Sequence, residues 1–81
     1  MKLDAYITFS DMVADKINCD EITIAIDSDY VSADKDDINE WVINELETQF
    51  NIKFMINDFT ITNIDDIIEE INYEEFMAKT N

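Results

Sequence analysis

The segment "AIDSDYVSADKDDINEW", residues 25 to 41, holds Asp27, Asp29, Asp34, Asp36, Asp37 and Glu40 against one base, Lys35. Carboxylates at this density support three kinds of chemistry. They ligate hard cations, they work in pairs as acid and base, or they recruit a cationic partner. Spacing tests the first. Counted from Asp27 along a calcium-loop pattern, Val31 takes the fifth position, Ser32 takes the sixth where the turn requires glycine, and Ile38 takes the twelfth. No dedicated metal or cofactor is therefore expected, only weak adventitious cation binding. Catalysis is expected to be absent too. The chain has no His, so Ser10, Ser28, Ser32 and Cys19 lack the commonest base. Paired carboxylates would need unlike environments in a cleft, which a domain this small rarely encloses. With no glycine, a glycine-rich phosphate loop is impossible.

That leaves recruitment of a cationic partner, and the charge balance speaks for it. Twenty acids face five lysines and no arginine, for a net charge of −15. Direct binding to nucleic acid is excluded, because affinity there comes from cations neutralising phosphates. Anionic membrane surfaces are excluded by the same sign. Abundant Ile and Asn point to AT-rich coding, which ordinarily supplies many lysines, so their scarcity looks particular to this protein. A merely solvated surface would mix both signs. The lone Cys19 cannot form an internal disulfide, no apolar run approaches the roughly 18 residues of a membrane span, and no signal peptide is seen. The expected setting is the cytoplasm.

The elements that must position these acids follow from hydrophobic periodicity. With 47% hydrophobic residues, fourteen of them Ile, the chain can build one core and is not expected to be disordered. "LDAYITF" alternates, with Leu3, Ala5, Ile7 and Phe9 on one face, and predicts a half-buried strand. "SDMVADKIN" predicts a short helix capped by Ser10 or Asp11, with Met12, Val13 and Ile17 inward. "EITIAID" predicts a second strand with Ile22, Ile24 and Ile26 inward. A helix capped by Ser32 or Asp34 then buries Ile38, Trp41, Val42, Leu46 and Phe50. "IKFMINDFTIT" predicts a hairpin turning at Asn57 and Asp58, with Phe54, Ile56, Phe59 and Ile61 on one face. A last helix, capped at Thr62 or Asn63, buries Ile64, Ile67, Ile68 and Ile71. Tyr73, Phe76 and Met77 leave that stripe, and Asn72 with Glu75 can cap a new helix, so a break is predicted near Asn72. The order β-α-β-α-β-β-α describes a single α+β domain over 1–81, a small, mostly antiparallel sheet of about four strands with helices on one face. Turns must rely on Asn, Asp and Ser.

Regular backbone then spaces the charges. Residues four apart on a helix lie about 6 Å apart along its axis, which pairs Asp36 with Glu40, Asp66 with Glu70, and Glu70 with Glu74. Residues two apart on a strand lie about 6.7 Å apart, which suits Asp27 and Asp29. Such rows coarsely resemble a line of backbone phosphates. The candidate partner-binding set is Asp27, Asp29, Asp34, Asp36, Asp37 and Glu40, with Tyr30 as apolar anchor beside Val31. A second candidate face carries Asp65, Asp66, Glu69, Glu70, Glu74 and Glu75. Tyr6, Tyr73, Phe76 and Met77 are further anchor candidates.

In size, charge and layout over its whole length, the chain resembles phage-encoded DNA mimics of the anti-CRISPR and anti-restriction type. The resemblance implies an inhibitor in host defence evasion that blocks a basic nucleic-acid-binding protein, a Cas effector or nuclease, through protein–protein contact. The alternative is an acidic immunity or antitoxin-like module that neutralises a basic partner by another route. Residues 44 to 71 also resemble the C-terminal half of acyl carrier proteins, but Asp36 stands where that family's phosphopantetheine serine would be.

Overall fold

Strict alternation makes one strand the spine of the molecule. In the computed structural model, which describes residues 1–80, β1 (Lys2–Phe9) buries Ala5, Ile7 and Phe9 and leaves Asp4, Tyr6 and Thr8 in solvent. It runs between β2 (Glu21–Asp27) and β3 (Phe59–Ile61), antiparallel to both, in the order β2-β1-β3. Register places like with like. Ala5 sits opposite Ile24, Ile7 opposite both Ile22 and Ile61, and Phe9 opposite Phe59, so the apolar residues share one face. Three helices complete the fold: α1 (Asp11–Ile17), α2 (Lys35–Phe50) and α3 (Ile64–Thr80). Ile38, Val42 and Leu46 of α2, with Ile67 and Ile71 of α3, pack onto the apolar face of the sheet. The fold is therefore α+β, with its main helices covering one side of an antiparallel sheet. Its long axis is 48 Å and its cross-section is 19 × 17 Å.

The sheet has three strands, not four. The predicted hairpin over 52–62 is absent. Only its second arm, β3, is a strand, and a short 3-10 turn at Ile56–Asp58 precedes it. The reason lies in where the backbone donors go. The Phe54 N–H is taken by the Glu47 carboxylate at 3.1 Å, and the Met55 N–H by Asp58 Oδ2 at 2.8 Å. Side chains thus satisfy groups that a ladder would have used. Phe54 still enters the core, held against Phe9 and Phe50 with ring centroids 6.0 and 5.9 Å away. Ile56 does not, and is 52% exposed.

The predicted break at Asn72 is also absent, since α3 runs unbroken from Ile64 to Thr80. Restarting a helix repeats the cost of nucleation, whereas continuing one adds a hydrogen bond for each residue fixed. Met12 points outward at 85% exposure rather than into the core, while Val13, Ala14 and Ile17 pack on the core's edge. Val31 likewise packs against the core.

Where the helices start and stop explains how a chain without glycine turns. Asp34 caps α2 by accepting from the Asp36 N–H at 2.9 Å. Asn18 and Asn51 end α1 and α2 with φ of 56°, the left-handed conformation that glycine usually supplies. Asn63, at the start of α3, does not cap with its side chain. Its amide accepts from the Tyr6 N–H at 2.9 Å and donates to the Asp4 carbonyl at 2.8 Å, standing in for a further residue of β3 beside β1. Thr62 also bonds the Tyr6 carbonyl.

The left-handed caps give a stability ranking at residue 51. Asn51→Ala should lose about 1 kcal/mol, because a Cβ without Asn's local hydrogen bonding disfavours this conformation. Asn51→Gly should match or exceed the natural chain. Urea unfolding that placed the Ala variant level with the Gly variant would contradict this account of the turn.

Candidate functional site

The acids of the opening segment divide into those that hold the backbone and those that face solvent. β2 ends at Asp27, so Asp27 and Asp29 do not form a row along a strand. The chain turns instead: the Tyr30 N–H reaches the Asp27 carbonyl at 3.0 Å, and Asp27 Oδ1 accepts from the Asp29 N–H at 3.0 Å. Both carboxylates converge on the Met1 ammonium, each 3.9 Å away. Ser28 fastens the same end by donating to the Met1 carbonyl through its N–H and its hydroxyl. Asp34 is the α2 cap. Asp37 Oδ2 accepts from the Ser32 hydroxyl at 2.7 Å and so ties the approaching loop to the helix. Asp36 and Glu40 remain, four apart on the exposed side of α2, and their carboxylates accept no hydrogen bond among the described residues.

Tyr30 lies flat on this surface. It is 75% exposed and stacks on Trp41 with centroids 6.4 Å apart and planes inclined by 13°. Trp41 is itself fixed, because its indole N–H donates to the Ala25 carbonyl at 3.1 Å. That bond covers part of the outer edge of β2, which would otherwise offer an unpaired strand. Asp37, Glu40 and Asn44 line the hollow on the α2 side of the stack, together with Tyr30, Val31 and Trp41.

The second candidate face runs along α3. Asp65, Asp66, Glu69, Glu70 and Glu75 are exposed and Glu74 is half-buried. At about 100° per residue, Tyr73, Phe76 and Met77 lie about 200°, 140° and 240° round the helix from Ile71, hence on the side turned away from the sheet. The phase slip in the sequence is therefore a second apolar patch on one straight helix, with Tyr73 and Phe76 each 62% exposed. Tyr6 is exposed on the open face of the sheet. The two acidic faces also meet. Asp29 and Ser28 line one hollow with Glu74 and Glu75, a proximity that separation in sequence concealed.

Little within the chain neutralises this surface. Among the described residues the only ion pairs come from the Met1 ammonium; Lys2, Lys16, Lys35 and Lys53 make none. No group of three or more His, Cys, Asp or Glu side chains gathers as metal ligands among the described residues. Nor is any described helix long and apolar enough to cross a membrane. Cys19 is half-buried and donates to the Glu21 carbonyl. No family model, curated protein or solved structure matches the chain.

Unpaired like charges oppose folding and are screened by salt. The melting temperature should therefore rise between about 0.01 M and about 0.15 M sodium chloride, as the screening length falls from about 30 Å to about 8 Å. A gain of about 4 °C or more corresponds to about 1 kcal/mol in a domain of this size. A flat or falling melting curve would show that the acids do not strain the fold.

Proposed function

We propose that this chain is an inhibitory DNA mimic of phage origin. It acts in the host cytoplasm by occupying the basic groove of a nucleic-acid-binding effector, a Cas effector or a restriction nuclease. It performs no catalysis. One observation carries the reading: the charge is almost unpaired and is spread along an elongated body. Fifteen net negative charges on a 48 Å axis amount to one per 3.2 Å (48/15). One strand of B-DNA carries one per about 3.4 Å, and the duplex one per about 1.7 Å. Averaged along its axis, the protein has the line charge of a single strand. A cationic channel would attract it over the same distances and by the same force.

Within this reading Asp36 and Glu40 supply charge to the partner, joined by Asp29, whose carboxylate stays exposed beside the Met1 ammonium, while Asp27, Asp34 and Asp37 shape the surface that presents it. Tyr30 is the anchor, since rim charges govern association and register more than affinity. The Glu74–Glu75 end of α3 extends the same surface past Asp29. The apolar patch at Tyr73 and Phe76 favours a second reading, an immunity or antitoxin-like module. Such a module would grip a basic partner beside its nucleic-acid site and leave that site open.

Capture of a nucleic-acid-binding protein from bacterial extract, followed by competition with duplex DNA, separates the two. Mimicry requires that DNA and this chain displace one another and that affinity fall steeply with salt. A ternary complex of partner, DNA and this chain would overturn mimicry in favour of the second reading. The double variant Asp36→Lys, Glu40→Lys should bind the captured partner about tenfold more weakly, chiefly through slower association. Its stability should stay within about 1 kcal/mol of the natural chain, because relief of repulsion offsets a less favourable charge near the helix N-terminus. Undiminished binding would remove this face of α2 from the interface.

A further inference from the structure

The Tyr30–Trp41 stack has two sides, and they differ in charge. On one side Lys2 lines the hollow with Asp27 and Glu45, so a cation of the chain itself already lies there. On the α2 side the lining is Tyr30, Val31, Asp37, Glu40, Trp41 and Asn44: two carboxylates, an amide and two aromatic rings, with no cation. The Glu40 carboxylate has no protein partner among the described residues. Asp37 Oδ2 is held by Ser32, which fixes that wall in place. Trp41 is tied to β2 through Ala25, so one of the two rings of the floor is held in place.

A surface with a flat π face, a carboxylate and an amide carbonyl beside one another suits a flat cation with several donors. We propose that the α2-side hollow of the Tyr30–Trp41 stack is a receptor for a guanidinium group, supplied by an arginine of the partner. The guanidinium lies on the aromatic surface and directs its N–H groups to Glu40 and to the Asn44 side-chain carbonyl. The aromatic pair selects this ligand. An ammonium would feel the same carboxylates, but it is a strongly hydrated point charge that cannot stack. The proposal rests on the reading that the partner is basic, and it names the partner group that meets Tyr30.

Trp41 is the chain's only tryptophan, so its fluorescence reports on this hollow. The full chain is titrated at fixed ionic strength with blocked tri-arginine and, separately, with blocked tri-lysine of equal charge. The arginine peptide should bind about two- to fivefold more tightly, the range expected for a cation on an exposed ring. Tyr30→Leu should reduce that preference without changing lysine affinity, since Trp41 remains, and Tyr30→Phe should keep it in full. Glu40→Gln should weaken both peptides. Circular dichroism confirms that each variant is folded, which the exposure of Tyr30 and Glu40 leads one to expect. Equal affinities in the natural chain, or a preference undiminished by Tyr30→Leu, would overturn the proposal. DNA competition is a separate measurement, so failure of mimicry and failure of the guanidinium site remain distinguishable.

Discussion

The inward row of β1, Ala5–Ile7–Phe9, is the contact on which the rest depends. It touches both neighbouring strands and lies beneath the helices, so it sets the register of everything else. A slip of one residue would carry Asp4, Tyr6 and Thr8 into the core, where unpaired polar groups are costly. No charged or polar side chain is buried among the described residues. A polar outer surface is therefore the necessary complement of a one-sided isoleucine core. Elements that bury one stripe must turn every other residue outward, and here the outward residues are mostly Asp and Glu.

Many of those acids also do work that glycine or a neutral cap does elsewhere. Asp27 closes the turn after β2, Asp34 caps α2, and Asp37 holds the loop at Ser32. Glu47 and Asp58 accept the backbone N–H groups of Phe54 and Met55. Asn completes the set, with Asn18 and Asn51 in left-handed caps and the Asn63 amide extending the edge of β3. A carboxylate that accepts a backbone N–H is committed to the fold. Reading all six acids of 25–41 as a single interaction surface conflates two roles. Only the hydrogen-bond partners distinguish them.

Those partners also mark where sequence reasoning succeeds. β1, β2 and α2 are legible because each has a sustained period that only one element satisfies. Ile24 and Ile26 of β2 and Ile38, Val42 and Leu46 of α2 are buried as the sequence predicts, while Ile22, Trp41 and Phe50 of the same stripes are half-buried at the core's edge. Residues 52–58 were not legible as non-strand. Their alternation suits a hairpin, and what defeats it is a pair of side-chain acceptors, one of them seven residues away, that no periodicity reveals. The continuity of α3 was hidden for a related reason. Asn72 and Glu75 carry a capping signal, and local signals of this kind lose to a helix already under way. Of the site, Tyr30 was legible as an aromatic outside every core stripe. Its stacking on Trp41 was not, since Trp41 counted equally well as core. The meeting of Asp29 with Glu74 and Glu75 depends on tertiary packing alone.

How much of the charge the fold itself requires can be judged from position along each helix. Acids near a helix N-terminus meet the positive end of the dipole, so Asp36 and Asp37 on α2, and Asp65 and Asp66 on α3, have a local reason to be there. Glu69, Glu70, Glu74 and Glu75 have none, lying beyond the first turn where the dipole no longer helps them. In the last turn of α2 the favourable choice is a base, and none is present. Nor do the lysines repair the balance, since Lys2, Lys16, Lys35 and Lys53 form no ion pair within the described chain. The remaining charge is a standing destabilisation that the apolar core must offset. A surface selected only for solubility would interleave the two signs and avoid that cost. Helix dipoles, caps and turns therefore account for only part of the net charge of −15, and the fold gives no local reason for the rest.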